Sequence, residues 1–436
     1  MKDSLGGNFF RAVLRAVLIF IFAGFFSFGG FSEDLSPELD AALEDYLDSL
    51  SERERISQIF LVSVAGNKSY APVEDSGAIE SIAEAPEPLV PGGALFFAFN
   101  IGESPEETSA YIKSIADYCV KNKILRPYIA VDQEGGDVNR LRKITSKLPS
   151  PAQIADKLSP SQAYEIFSMQ ARQMRLLGFD MNLAPVSEAL NDENTSFLQE
   201  RSFGGIAQSI SYSLAFVSAF ESGGVGTVLK HFPGNTSTDP HSGLPEIKWP
   251  MQRLQKEVLE PFYCVMGGKP SAVLMSHART SAVDSSVPAC LSRIWVNDIL
   301  RTQLHYDGLI ISDDIFMAAL NANGFPPELA AVQAIDAGVH VIMLSEKKFA
   351  TVAEDLLSHA ETHPDFKKKL RDAEKKVLEF KLRCGILKTE PNATGGYVIR
   401  MCDDTEQNGE LKKRMEDFAE IKEKGDRFWK TNSEKD

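Results

Sequence analysis

Between residues 230 and 245 the chain reads KHFPGNTSTDPHSGLP. Only seven histidines occur in 436 residues, and two of them, His231 and His241, fall in this segment beside Lys230 and Asp239. Pro233, Gly234, Pro240, Gly243 and Pro245 exclude a helix or a core strand here, so the segment is a loop, where reacting groups are commonly mounted. Asp239, two residues before His241, can fix the tautomer and charge of that imidazole and make it a general acid/base. A second element is ISDD (311–314), which ends an apolar run with Asp313 and Asp314. A carboxylate nucleophile facing a proton donor is what retaining glycoside hydrolysis requires: one attacks the anomeric carbon while the other protonates the leaving oxygen. The donor is usually a second carboxylic acid. A histidine paired with an aspartate can do the same work near neutrality without a large pKa shift.

Each group also has a plainer reading. Asp313-Asp314 at a strand end can be a cap for the next segment, Asp239 with His241 a clasp within the loop, and His277 a satisfied core residue. His231, His241, His277, Asp132 and Asp313 are also residue types that hold zinc in barrel hydrolases. Against a metal, no His-x-His follows the first strand and Lys230 would repel a cation beside His231; neither metal nor cofactor is expected. The five cysteines, Cys119, Cys264, Cys290, Cys384 and Cys402, are odd in number and widely spaced, which fits buried or stray thiols better than a disulfide framework.

The elements that must carry these groups recur along the chain. Short apolar runs appear at 59–64, 94–99, 128–131, 181–186, 225–231, 271–277, 308–314 and 339–344, separated by segments of helical periodicity such as 106–122 and 207–222. Eight buried-type strands alternating with helices predict a parallel α/β fold, and the number eight favours a closed (β/α)8 TIM-type barrel over an open doubly wound sheet. Asp132 follows the third run, Lys230 and His231 the fifth, His277 the sixth, and Asp313 and Asp314 the seventh. In a barrel those strand ends ring one mouth, so residues far apart in sequence face one pocket.

The flanks differ from this body. Lys2, Arg11 and Arg15 precede or open an apolar run to residue 32, the order of a secretory signal; an uncleaved membrane anchor is the alternative. Either form predicts an exported protein, periplasmic, extracellular or anchored facing outward. The formal charge of −15, more negative without residues 1–32, argues against nucleic acid as a partner. Residues 35–58 read as one opening helix and 33–388 as a single catalytic domain. Residues 389–436 form a polar tail, with 408–430 either an amphipathic surface helix or disordered.

VDQEGGDVNRLR (131–142), KLPSPAQIA (147–155), NLAPV (182–186), ERSF (200–203), KHFPG (230–234) with Asp-x-His, MSHA (275–278) and DGLIISDDIFMAA (307–319) together resemble glycoside hydrolase family 3, in particular its bacterial β-N-acetylglucosaminidases. The resemblance runs from about residue 50 to about 388. It implies a cofactor-free (β/α)8 barrel that removes terminal β-linked N-acetylhexosamine from a glycan, such as one derived from peptidoglycan. Asp313 matches the nucleophile of that family, His241 the acid/base and Asp239 its partner. Asp132, Arg140, Arg201, Lys230 and His231 match residues that hold the sugar hydroxyls. The β-glucosidases of the family lack the Asp-x-His loop, which favours a 2-acetamido sugar here. Departures are visible too: Asn235-Thr236 replaces a common His-Gly, Pro240 stands between Asp239 and His241, the loop is shorter, and Asp137 occupies a position where arginine is frequent. Two other activities fit the same residues: a glycoside phosphorylase, and a glycan-binding protein that has lost turnover.

Overall fold

The computed structural model describes residues 35–64, 89–239, 243–344, 349–393, 395–402 and 411–434. Its centre is an eight-stranded parallel sheet of β1 (Phe60–Ser63), β2 (Gly93–Phe96), β3 (Tyr128–Val131), β4 (Met181–Asn182), β5 (Gly226–Phe232), β6 (Ala272–Met275), β7 (Leu309–Ile311) and β8 (Ile342–Leu344). Neighbours in the sheet follow chain order, and β8 returns to pair with β1 through Phe60–Ile342, Leu61–Met343 and Val62–Leu344. The last seam, β7 against β8, carries a parallel bridge between Ile311 and Val341 and a bond from Ser312 N–H to the Val341 carbonyl at 2.9 Å. The sheet is therefore a (β/α)8 barrel, as the eight apolar runs predict. Its strands are buried almost without exception, which is why they read as continuous apolar runs rather than alternating ones.

Local sequence explains how the chain enters and leaves each unit. Four Ser-Pro pairs, at 36–37, 104–105, 150–151 and 159–160, each start a helix. The serine oxygen accepts an otherwise unpaired N–H of the first turn, and proline at the first helical position sacrifices a donor that has no partner there. Gly178 ends helix Pro160–Leu177 with φ 107°, a conformation that costs other residues strain. At Gly93 a β-carbon would lie 2.4 Å from a ring carbon of Tyr128, so only glycine lets β2 pass β3 at this distance. The fourth apolar run yields the shortest strand, because Pro185 has no N–H to give; Val186 resumes contact by bridging to Lys230.

Two regions differ from the sequence reading. The opening segment is two helices, Pro37–Ser49 and Glu52–Ser57, because Ser51 and Glu54 form a reciprocal capping box that starts a new helix. In the tail, Leu387–Pro391 and Tyr397–Met401 pair as an antiparallel hairpin that the polar composition concealed. The following Leu411–Ser433 is a helix laid against helix Pro160–Leu177, with Met415, Phe418, Ile421 and Gly425 on its buried face.

Candidate active site

The C-terminal rim of the barrel gathers charged side chains that no isolated strand could bury. Lys230, near the end of β5 and 5% exposed, reaches across to β3 and binds Asp132 Oδ1 at 2.6 Å and Glu134 Oε1 at 2.6 Å. Arg201 closes the other side of Glu134 with two parallel bonds, Nε to Oε2 at 2.8 Å and a terminal nitrogen to Oε1 at 2.8 Å. Two cations thus face two carboxylates, the balance that makes burial of four charges tolerable. Burial alone would raise the Glu134 carboxyl, but Lys230 and Arg201 outweigh it and hold the group down at about 2. Burial would likewise lower the Lys230 ammonium, yet Asp132 and Glu134 raise it, so the lysine stays charged. Glu134 lies inside at 1% exposure, whereas Asp132 and Arg201, at 18% and 25%, reach solvent.

A second cluster abuts the first, for Arg201 also feels the charge of Glu188. Glu188, on the segment after β4, accepts from His231 Nδ1 at 2.8 Å, from the His231 backbone N–H at 3.1 Å, and from Asn235 through its backbone N–H at 2.7 Å and Nδ2 at 3.0 Å. A carboxylate only accepts, so Nδ1 of His231 is the donor in this pair. The peptide bonds Lys230-His231 and Phe232-Pro233 are cis. Asn235, one of the departures noted in the loop, is buried and serves as a clamp on Glu188.

The third group stands just beyond the end of β7. Asp313 is half-buried; among the described residues its one hydrogen bond is from the Asp314 backbone N–H to Oδ1, at 2.9 Å, and it has no ion pair. Asp314 turns away to cap the next turn, accepting from Phe316 N–H at 3.0 Å. Behind them His277, fully buried at the end of β6, bonds the Asp314 carbonyl through Nε2 at 3.0 Å and Cys290 Sγ through Nδ1 at 3.3 Å. The carbonyl must accept, so Nε2 holds the proton and Nδ1 accepts from the thiol. Burial first, and then the charge of Asp313, push the Cys290 thiol well up, which keeps the sulfur protonated for this role.

The structure therefore brings Asp132, Lys230 and Arg201 into one network, sets His231 beside it, and puts Asp313 on the same rim. Arg140 is half-buried on the loop after β3, and its buried Nε has no hydrogen-bond partner among the described residues. Asp239 is exposed and its carbonyl accepts from Gly243 N–H at 3.0 Å. His241 lies outside the described residues. Two acidic residues were missed. Glu134 stands within VDQEGG, where its position three residues after a strand end was the available signal. Glu188 had none, since 43 residues separate it from His231.

This charge-lined mouth lies at the C-terminal end of a (β/α)8 barrel, the end at which such barrels mount their reacting groups. The family profile described as "Glycosyl hydrolase family 3 N terminal domain" matches residues 53–380, and the chain belongs to that family. It is 32% identical over 239 residues to a protein named beta-hexosaminidase from Pseudomonas aeruginosa (strain LESB58), covering 53% of this chain and 69% of that one. A beta-hexosaminidase from Alkalilimnicola ehrlichii (strain ATCC BAA-1101 / DSM 17681 / MLHE-1) is 31% identical over 264 residues, covering 58% and 73%. The glycoside hydrolase family 3 beta-N-acetylglucosaminidase from Paenibacillus sp. str. FPU-7 superposes with a TM-score of 0.70 at 24% identity, over 86% of this chain and 69% of that one, a likeness of fold.

Proposed function

We propose that this family 3 glycosidase is a retaining β-N-acetylhexosaminidase that releases terminal, non-reducing β-linked N-acetylglucosamine. The observation that carries the reading is the buried, charge-balanced Asp132–Lys230–Glu134–Arg201 network on the same rim as a sparsely bonded Asp313. Hydroxyls of a bound sugar are both donors and acceptors, and a fixed array of carboxylates and cations matches them. In the first step Asp313 attacks the anomeric carbon; its oxygen–carbon bond forms as the glycosidic carbon–oxygen bond breaks, and His241 gives its proton to the leaving oxygen. In the second, water gives a proton to His241 and attacks the same carbon, restoring the carboxylate. Asp239 orients His241, and Arg140 and His231 complete the sugar site. Names of the relatives above and the Asp-x-His loop support the acetamido sugar over glucose. The proposal extends to an exported enzyme acting on wall-derived glycan, supported by the basic start and apolar run of residues 2–32, which precede the described residues, and carrying the option of membrane attachment through that run.

The test is hydrolysis of an aryl β-N-acetylglucosaminide and an aryl β-glucoside, each with and without inorganic phosphate. Release from the acetamido substrate alone, unchanged by phosphate, supports the reading. Release only with phosphate would make the protein a phosphorylase, and sugar binding with no release under any condition would make it a lectin-like scaffold.

A further inference from the structure

The C-terminal helix Leu411–Ser433 lies beyond the residues that match the family, yet it meets a loop that belongs to the sugar site. Gly425 is pressed so close to Ser146 that a β-carbon there would fall 2.6 Å from Ser146 Oγ and 2.7 Å from Ser146 Cβ. One residue on, Asp426 Oδ1 accepts the Lys147 backbone N–H at 2.7 Å, while Lys422 holds the other carboxylate oxygen at 2.7 Å. At the far end Asn432 accepts from Gln162 at 3.0 Å, so the helix is fastened along the length of helix Pro160–Leu177.

Ser146 is the first member of a buried polar chain. Gln170 Nε2 donates to the Ser146 carbonyl at 2.7 Å and to its Oγ at 3.0 Å; Gln173 donates to the same Oγ at 2.8 Å and accepts the Ser146 N–H at 2.8 Å. Gln170 Oε1 then accepts from Gln133 Nε2 at 3.4 Å, and Gln133 Oε1 accepts the Leu141 N–H at 3.1 Å. Gln133, Ser146, Gln170 and Gln173 are all 1% exposed or less. The far end of this chain touches sugar-site residues by peptide bonds: Gln133 lies between Asp132 and Glu134, and Leu141 follows Arg140. Buried amide networks of this kind transmit position well, because every member is satisfied in one arrangement only.

We propose that the C-terminal helix is a positioning element for the β3 loop: Gly425 and Asp426 seat Ser146 and Lys147, and the Gln170–Gln133 chain thereby sets Arg140 and the Asp132–Glu134 carboxylates for the sugar. This inference rests on the glycosidase reading for its effect on affinity, but the clamp itself does not. Gly425→Val forces Ser146 away, Asp426→Ala removes the Lys147 acceptor, and Asp426→Asn keeps an acceptor oxygen as the conservative control.

The experiment compares these three full-length variants with the parent by amide hydrogen exchange of residues 136–148 and by titration with N-acetylglucosamine. Expected are faster exchange in that loop and a Kd about tenfold weaker for Gly425→Val, the same direction and a smaller change for Asp426→Ala, and near-parental behaviour for Asp426→Asn. KM for the aryl substrate should rise with Kd while kcat changes less, because ground-state sugar contacts are weakened. If Gly425→Val does not fold, the two Asp426 variants decide. Parental loop exchange and parental Kd in Asp426→Ala would overturn the inference. If the parent itself binds no N-acetylglucosamine, the functional reading falls, and loop exchange still decides whether the helix holds the loop.

Discussion

Glu134 and Asp313 are carboxylates on the rim of one barrel, and their surroundings are opposite. Glu134 is enclosed and receives three charge-assisted bonds from Arg201 and Lys230. Asp313 is half-buried, takes one backbone N–H among the described residues, and is backed by the buried His277–Cys290 pair. Pairing the first group with two cations keeps it an anion down to about pH 2 and fixes those cations in place. Leaving the second unsaturated keeps lone pairs on a carboxylate whose backbone is nonetheless held, through the Asp314 carbonyl, by a buried histidine. Under the proposed function this division would separate holding a sugar from reacting with it, and it is expressed in hydrogen-bond count rather than in residue type.

Substitutions can break that contrast in order of severity. Asp313→Asn should abolish turnover, by on the order of 10^4-fold or more in kcat, while N-acetylglucosamine still binds, since the sugar-holding network is untouched. Steady-state kinetics with the aryl substrate and a binding titration separate the two effects. Glu134→Gln should do the reverse kind of damage: it leaves Lys230 and Arg201 short of a counter-charge in the interior, costing about 3 kcal/mol of stability and weakening sugar binding. Urea unfolding and the same titration read both.

The acid side sharpens the comparison further. Because the folded-state carboxyl of Glu134 sits at about 2, below its ordinary 4.5, the unfolded chain binds the extra proton between those values. Its contribution of about 3 kcal/mol is present above pH ~4.5 and is lost as pH falls towards ~2. The stability gap between parent and Glu134→Gln should therefore close over that window; a gap independent of pH would mean that the ion network does not hold Glu134 ionised. The smallest expected effect is at the support of Asp313. His277→Ala should lower kcat about tenfold with Kd for the sugar unchanged, and His277→Gln, which retains an N–H donor for the Asp314 carbonyl, should recover part of it.

Much of this arrangement could be read before folding, and the rest could not, for physical reasons. Runs such as YIAV and GLIIS are apolar on both faces and are each followed by an acidic residue, so strand, barrel and rim were all legible from them. The capping box at Ser51 was equally visible as Ser-x-x-Glu, yet uninterrupted periodicity through 35–58 suggested one helix. Glu188 and Asn235 were not legible, because their partner contacts join β4 and β5 loops and leave no spacing rule in the sequence. The replacement of a common histidine by Asn235 was visible only as a departure; in the fold its side chain is committed to Glu188. The tail helix shows the same limit, since its few apolar residues find a groove only when helix Pro160–Leu177 is already in place.

The most direct test of the division between holding and reacting carboxylates is covalent trapping. A 5-fluoro-N-acetylglucosaminyl fluoride slows both chemical steps through its ring fluorine, while the fluoride leaving group keeps the first faster than the second, so a retaining enzyme accumulates its intermediate. Intact mass and peptide mapping should find one fluorosugar on the peptide containing Asp313, with the adduct lost in Asp313→Asn and kept in Asp314→Asn. An enzyme that turns over the aryl substrate but carries no adduct, or carries it on Asp132 or Glu134, would contradict the assignment.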